Sequence, residues 1–372
     1  GDVAENIIRQ MPSLPDAPTQ FLHSGKILQL WHFDIFDQLR KARPDAEMGL
    51  IDNGTYVRYL ADNHLDKNRK ESEFDKRNFK LDWIDISLDG TEKSHNLQRD
   101  PGHKKPTAYS DAITGLERAR EAVKPREEGG RVSSLMTVSS LNFRDIAATA
   151  DILFSENPKA PRQPLADEMT ITFMSPTPTS PVNAMIELSP NSETGDVREM
   201  KEAWEQIKAV DEKYNTALNE KGVRERLPNK RVQVTMYRHG DMEKLAHVVG
   251  KEKFLETLLS RLTCKIEGRG RITMEIDGVP ISYQPLSLWP QQEIIIEADG
   301  VQRMLYEGMF TLDELRSGKT KDGKDTSAYS VDQLTPESDL KAQYEKEVDQ
   351  FWAAFGRKYL QEEIEMIKRL KS

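Results

Sequence analysis

Asp85 and Asp89 stand four residues apart in a run of β-rich sequence, so on an extended strand both side chains project to one side. Paired carboxylates equip a protein for general acid and base chemistry, as in glycoside hydrolysis, and they form one candidate site. A second pattern is more widespread. Short polar side chains close to glycines recur along the chain, at Ser24-Gly25, Asn53-Gly54 and the Ser87-Leu88-Asp89-Gly90 run, with Asn142 further on. Such groups bond hydroxyls, carboxylates or backbone of a ligand, and glycine lets the adjoining loop turn tightly. The same dipeptides also serve as turns whose side chains cap the next helix. His95 and Arg99 follow Asp89-Gly90 within ten residues. They are candidate substrate contacts on a polar loop, with a solvated loop as the alternative.

Other chemistries find little support. None of the seven histidines pairs with another at helical spacing beside a glutamate, as a zinc hydrolase helix requires. No Gly-x-Ser-x-Gly elbow exists for a serine hydrolase. Gly318-Lys319-Thr320 is no phosphate loop, because Asp313 stands where that motif needs glycine. The single cysteine, Cys264, excludes an internal disulfide and any four-thiolate site within this chain. A net charge of -9 over 372 residues argues against nucleic acid as the main partner. No apolar run has the length of a membrane span and the first residues are not a signal peptide, so a cytoplasmic location is expected.

The elements that must position these groups alternate. Strands are expected over 19–24, 47–52, 81–88, 131–138, 168–175 and 231–237, separated by amphipathic helical patterns near 2–11, 33–43, 55–64, 108–124, 143–155 and 196–220. Successive βα units imply a parallel sheet spanning about residues 1–240. Beyond it the rhythm changes. A helical stretch at 241–260 precedes short strands at 271–276, 279–284, 293–297 and 301–307, with Asp277-Gly278 and Asp299-Gly300 as hairpin turns. A small antiparallel α+β appendage over 241–315 is therefore expected. Residues 316–338 read as a polar linker, and 339–372 as a long C-terminal helix that docks on the body or forms a dimer contact.

The run from Leu81 to Val123 resembles the fourth βα unit of a radical S-adenosylmethionine barrel: a strand ending in Ser-Leu-Asp-Gly, a polar His/Arg loop, then a helix. On either side, Asp52-Asn53-Gly54-Thr55 resembles that family's Thr-Asn-Gly-Thr strand end, and TVSSLN at 137–142 its Thr-and-Asn strand end. HSGKILQLWHFDIFDQLRKA at 23–42 resembles the Gly-Gly-Glu strand end with its helix. The resemblance covers roughly residues 1–220. It implies a partial (β/α) TIM-like barrel that binds S-adenosylmethionine through Ser24, Gly25, Asn53, Ser87, Asp89 and Asn142. It also implies a small-molecule or peptide substrate touching His95 and Arg99.

Two departures accompany it. The family holds a [4Fe–4S] cluster on a Cys-x-x-x-Cys-x-x-Cys loop after the first strand, and residues 1–80 contain no cysteine. A cluster is thus expected only on cysteine ligands outside this chain, in a unit that would precede Gly1. The glutamate that receives the methionine ammonium corresponds to Lys26 (or Ile27 in the neighbouring register), and a lysine would repel that ammonium. The resemblance therefore implies either a radical enzyme shown without its first unit or a degenerate, cluster-free barrel acting as a binding or interaction protein.

Overall fold

The computed structural model describes residues 20–24, most of 44–58, 80–155 with few gaps, 163–174, 186–188, 197–236 apart from 230, and much of 239–257. It also describes 272–283, 294–296, 302–304, 310–311 and a few single positions. Gly25, Lys26, Cys264, the expected linker over 316–338 and the expected C-terminal helix lie outside the described residues, as does the helix expected over 2–11.

The chain forms an α/β structure around one mostly parallel sheet. In chain order its strands are β1 (Gln20–Ser24), β2 (Glu47–Asp52), β3 (Trp83–Ser87), β4 (Arg131–Val138) and β5 (Glu168–Phe173). A short hairpin, β6 (Thr216–Leu218) and β7 (Arg224–Arg226), stands apart. Then come β8 (Val232–Met236), β9 (Ile272–Ile276) and β10 (Val279–Tyr283). The described helices are α1 (Glu92–Arg99), α2 (Ala108–Ala122), α3 (Ile146–Phe154), α4 (Arg198–Tyr214) and α5 (His239–Val249). A second small sheet joins β11 (Ile294–Ile296), β12 (Gln302–Met304) and β13 (Phe310–Thr311).

The main sheet runs β1-β2-β3-β4-β5-β8-β10-β9, and every neighbouring pair is parallel except β10 with β9. The order never reverses across the parallel strands. Because parallel crossovers are right-handed, an unreversed order sends each connection to the same side of the sheet. Burial agrees. Register places Leu50, Ile84 and Val132 in one lateral row, Ile86, Ser134, Met169 and Val232 in the next, and Met136, Ile171, Val234 and Ile281 in a third. All of these are buried, together with Ala112, Leu116 and Ala119 of α2 and Met200, Trp204 and Ile207 of α4. Each large side chain so buried contributes roughly 1.5–3 kcal/mol.

Alternation then dictates the other face. Asp85, Ser133 and Glu168 share one row, Ser87, Leu135, Thr170 and Gln233 the next, followed by Thr137 and Thr172. This polar face is only half-buried along β5, whose Glu168, Thr170 and Thr172 alternate with buried Met169, Ile171 and Phe173.

The hairpin expected at Asp277-Gly278 forms, with φ of 51° and 84° at the two turn residues, the left-handed pair that a two-residue turn of this hand demands. It does not stand in a separate appendage. Its second strand continues the parallel sheet beside β8, and the turn is held to α4 by Trp204 Nε1 donating to Asp277 Oδ2 at 3.2 Å.

Gly54, at the exit from β2, has φ 91°, and a Cβ there would lie 2.5 Å from the Asp111 carbonyl oxygen and 2.6 Å from Ala112 Cα. The strand exit and α2 therefore touch backbone to backbone. Gly129 has φ 85° with open space around it. Gly54→Ala should lower the denaturant midpoint well beyond Gly129→Ala, by about 3 kcal/mol or more against roughly 1–2 kcal/mol for the backbone conformation alone. Equal losses from the two variants would refute the close approach.

Candidate functional site

The carboxyl ends of β3 and β4 are tied together by polar side chains. Asp89, just past β3, is fully buried. Its Oδ1 accepts from the Thr137 N–H at 2.8 Å, its Oδ2 accepts from Arg99 Nε, and its own N–H donates to His95 Nδ1 at 2.8 Å. Asn142 completes the clasp. Its Nδ2 donates to the carbonyls of Asp89 and Thr137 at 2.7 and 2.8 Å, and its Oδ1 accepts from the Ser139 N–H at 2.7 Å. Ser139 and Gln98 add a further link, Ser139 Oγ donating to Gln98 Oε1 at 2.6 Å and Gln98 Nε2 to the Thr137 carbonyl at 3.1 Å.

The segment after Asp89-Gly90, expected as a polar loop, is helix α1. Its inward side is polar: Ser94 and His95 are buried while Leu97 is exposed. Periodicity of apolar residues could not reveal a helix of this kind. The helix start is capped from another loop, because Asp145 Oδ2 accepts from the Thr91 N–H at 3.3 Å, from Thr91 Oγ1 at 2.7 Å and from Ser94 Oγ. A carboxylate at a helix N-terminus is favoured by the exposed N–H groups there.

Each candidate residue now has a place. Asp89 and Asn142 meet directly, and their polar atoms are largely engaged within the protein. Arg99 lies half-exposed against Asp89. His95 is buried, stands edge-on to Tyr109 at 6.1 Å between ring centres, and bonds the Asp89 and Ala108 backbones. Ser87, nearly buried, points to the polar face. Asn53 is exposed at the end of β2, its Oδ1 accepting from the Thr55 N–H at 3.1 Å, while the neighbouring buried Asp52 accepts from the Gly54 and Val57 N–H groups at 3.0 and 3.3 Å. Ser24 ends β1, beside β2. Gly25 lies outside the described residues.

Asp85 does not pair with Asp89, which is turned to Arg99 and Thr137. It lies two rows deeper, between β2 and the Ser133 and Glu168 positions. Burial pushes its carboxyl up to about 6, Arg131 and Ser133 hold it down in part, and Glu168 adds to the rise. Burial likewise raises Glu168. Burial drops His95 to about 4, with Arg99 acting the same way and Asp89 and the Ala108 backbone opposing. His95 is thus neutral near pH 7.

Among the described residues no group of three histidine, cysteine, aspartate or glutamate side chains is arranged to hold a metal ion, and no helix is long and apolar enough to cross a membrane. Compared with known proteins, the chain matches no family model, no curated protein and no solved structure.

The two shifted groups oppose each other in one pH window. Asp85, raised above its ordinary value, contributes stability that is present below about pH 4 and lost as pH rises through about 6. His95, depressed, contributes stability that is present above about 6.5 and lost as pH falls through about 4. Each effect amounts to at most about 3 kcal/mol at 1.36 kcal/mol per pH unit. Thermal unfolding between pH 7 and 4.5 should therefore show Asp85→Asn more acid-sensitive than the parent, and His95→Gln less so. The reverse order would contradict the assignment.

Proposed function

We propose that this chain forms a partial (β/α) barrel of the radical S-adenosylmethionine type and binds S-adenosylmethionine at the carboxyl edge of β1–β5. The observation that carries this reading is the unreversed strand order, which leaves one sheet face free of the crossovers, as in barrels of this class. Doubly wound sheets bind ligands where their strand order reverses, and the parallel strands here have no such point. In barrel-type sheets the ligand sits at the carboxyl ends of the strands. Ser87 and Asn53 offer a hydroxyl and an amide there, suited to ribose hydroxyls and a carboxylate. Asp89 and Asn142 act beneath them as positioning residues, holding the strand ends in register.

The donor set of this chain does not fit a [4Fe–4S] cluster, which takes several thiolates where the sequence has only Cys264. Radical chemistry would require cysteines from outside these residues. The second reading, a cluster-free binding barrel, is favoured by the saturation of Asp89 and Asn142 within the protein.

Equilibrium dialysis with S-adenosylmethionine tests the proposal. Saturable binding is expected, weakened about five- to tenfold by Ser87→Ala or Asn53→Ala, the loss of one hydrogen bond each. No binding up to about 1 mM, near 4 kcal/mol of affinity, would overturn the adenosyl reading and leave the cluster-free barrel.

A further inference from the structure

We infer that the polar face of the sheet around Asp85, Ser133 and Glu168 takes a ligand through a cationic nitrogen, an alkylammonium or a guanidinium group. The inference rests on the reading that the ligand lies against this face, and it adds the chemical class of the ligand.

Three observations carry it. Asp85, Ser133 and Glu168 occupy adjacent strands in direct register, so the two carboxylates stand about 10 Å apart at the backbone with a hydroxyl between them. A nitrogen cation above Ser133 could reach acceptors from all three strands. Ser133, only 3% exposed, gives its hydroxyl to the Asp85 carboxyl, yet the buried Asp85 Oδ1 has no hydrogen-bond partner among the described residues. An unsatisfied buried polar atom costs about 1–3 kcal/mol and such atoms are few in native proteins, so Asp85 Oδ1 marks a place where a donor is expected. A primary ammonium brings three donors.

The charge balance points the same way. Among the described residues the cation set against this row is Arg131, whose Nε stands 3.7 Å from Glu168 Oε2 with its side chain 44% exposed, a solvated and weak pairing. Gln233 Nε2, 3.4 Å from Glu168 Oε2, adds a neutral donor. Two carboxylates against one guanidinium leave the row acidic, and the adjoining Ser87 and Thr170 extend it with hydroxyl acceptors. An anionic ligand would face repulsion here, and an apolar one would bury these acceptors unmatched.

Linkage supplies the test. A cation bound beside Asp85 favours its ionised form, so saturation must lower the Asp85 titration midpoint, and acid must weaken binding. The probe is N-acetyl-lysine methylamide, with N-acetyl-norleucine methylamide as the uncharged control. Carboxyl carbon NMR of Asp85 in the parent protein should show the midpoint falling by about one pH unit or more on saturation with the lysine probe. Affinity should drop about tenfold from pH 7.5 to 5. Asp85→Asn and Glu168→Gln should each weaken the lysine probe several-fold. Equal binding of the norleucine control, or an Asp85 midpoint unmoved by the lysine probe, would overturn the inference. S-adenosylmethionine is titrated in parallel into the parent. If the lysine probe binds and the adenosyl ligand does not, only the adenosyl reading falls; if the reverse holds, only this inference falls.

Discussion

A carboxylate as deeply buried as Asp89 has to find partners, because removing an ion from water costs several kcal/mol unless hydrogen bonds and an opposite charge replace the lost solvation. Its partners come from different segments. Thr137 belongs to β4, Arg99 to α1, and the Asp89 backbone itself is held by His95 of α1 and by Asn142 of the loop after β4. Satisfying one acid thus fixes the exits of two strands and the helix between them. The carboxyl edge is organised by polar bonds whose directions are specified, where the body of the sheet is organised by burial, which is not directional.

The second constraint is topological. Once the strand order runs β1-β2-β3-β4-β5-β8-β10 without reversal, right-handed crossovers put the helices on one face, and alternation forces the two faces apart in chemistry. Ile84, Ile86, Val132, Met136, Met169 and Ile171 bind the helices. Asp85, Ser133, Glu168, Thr170 and Thr172 are left on the opposite face by the same spacing. The interiors of α/β barrels are commonly filled by branched apolar side chains. The hydroxyl and carboxyl groups on this sheet face are unlike such filling.

Much of this was legible in the sequence. The six parallel strands expected from β-rich runs lie within a few residues of their observed ends, because a strand packed on one face needs an apolar residue at every second position and the text carries that period. Asp277-Gly278 announced its turn because few other pairs accept two left-handed residues in succession. What escaped was held by polar contacts. Helix α1 anchors through Ser94, His95, Asn96 and Gln98 and exposes Leu97, an inverted pattern that hydrophobic periodicity misreads as loop. Strand β6 falls inside the helical pattern expected near 196–220; the helix ends at Tyr214, where Asn215 turns back to bond Val232 and Arg231, and Arg226 of β7 pairs with the buried Asp211. The attachment of β10 to β8 is a long-range pairing, and no local pattern encodes a neighbour some fifty residues away.

The partners of Asp89 also sharpen what Asp85 can be. Equal spacing on one strand made the two acids look like a pair, yet spacing fixes only the side to which a group projects. What a group does there depends on the neighbours that other strands bring. Asp89 meets Arg99 and a backbone donor, and so is spent on architecture. Asp85 meets Ser133 and, across β4, another acid, and burial leaves it reluctant to ionise. A ligand that brings a positive charge changes that balance directly, whereas one that brings none leaves the cost of the buried acid in place. Whatever chemistry the carboxyl edge supports, the floor beneath it thus selects for a cation, and that selection requires neither a cluster nor a thiolate.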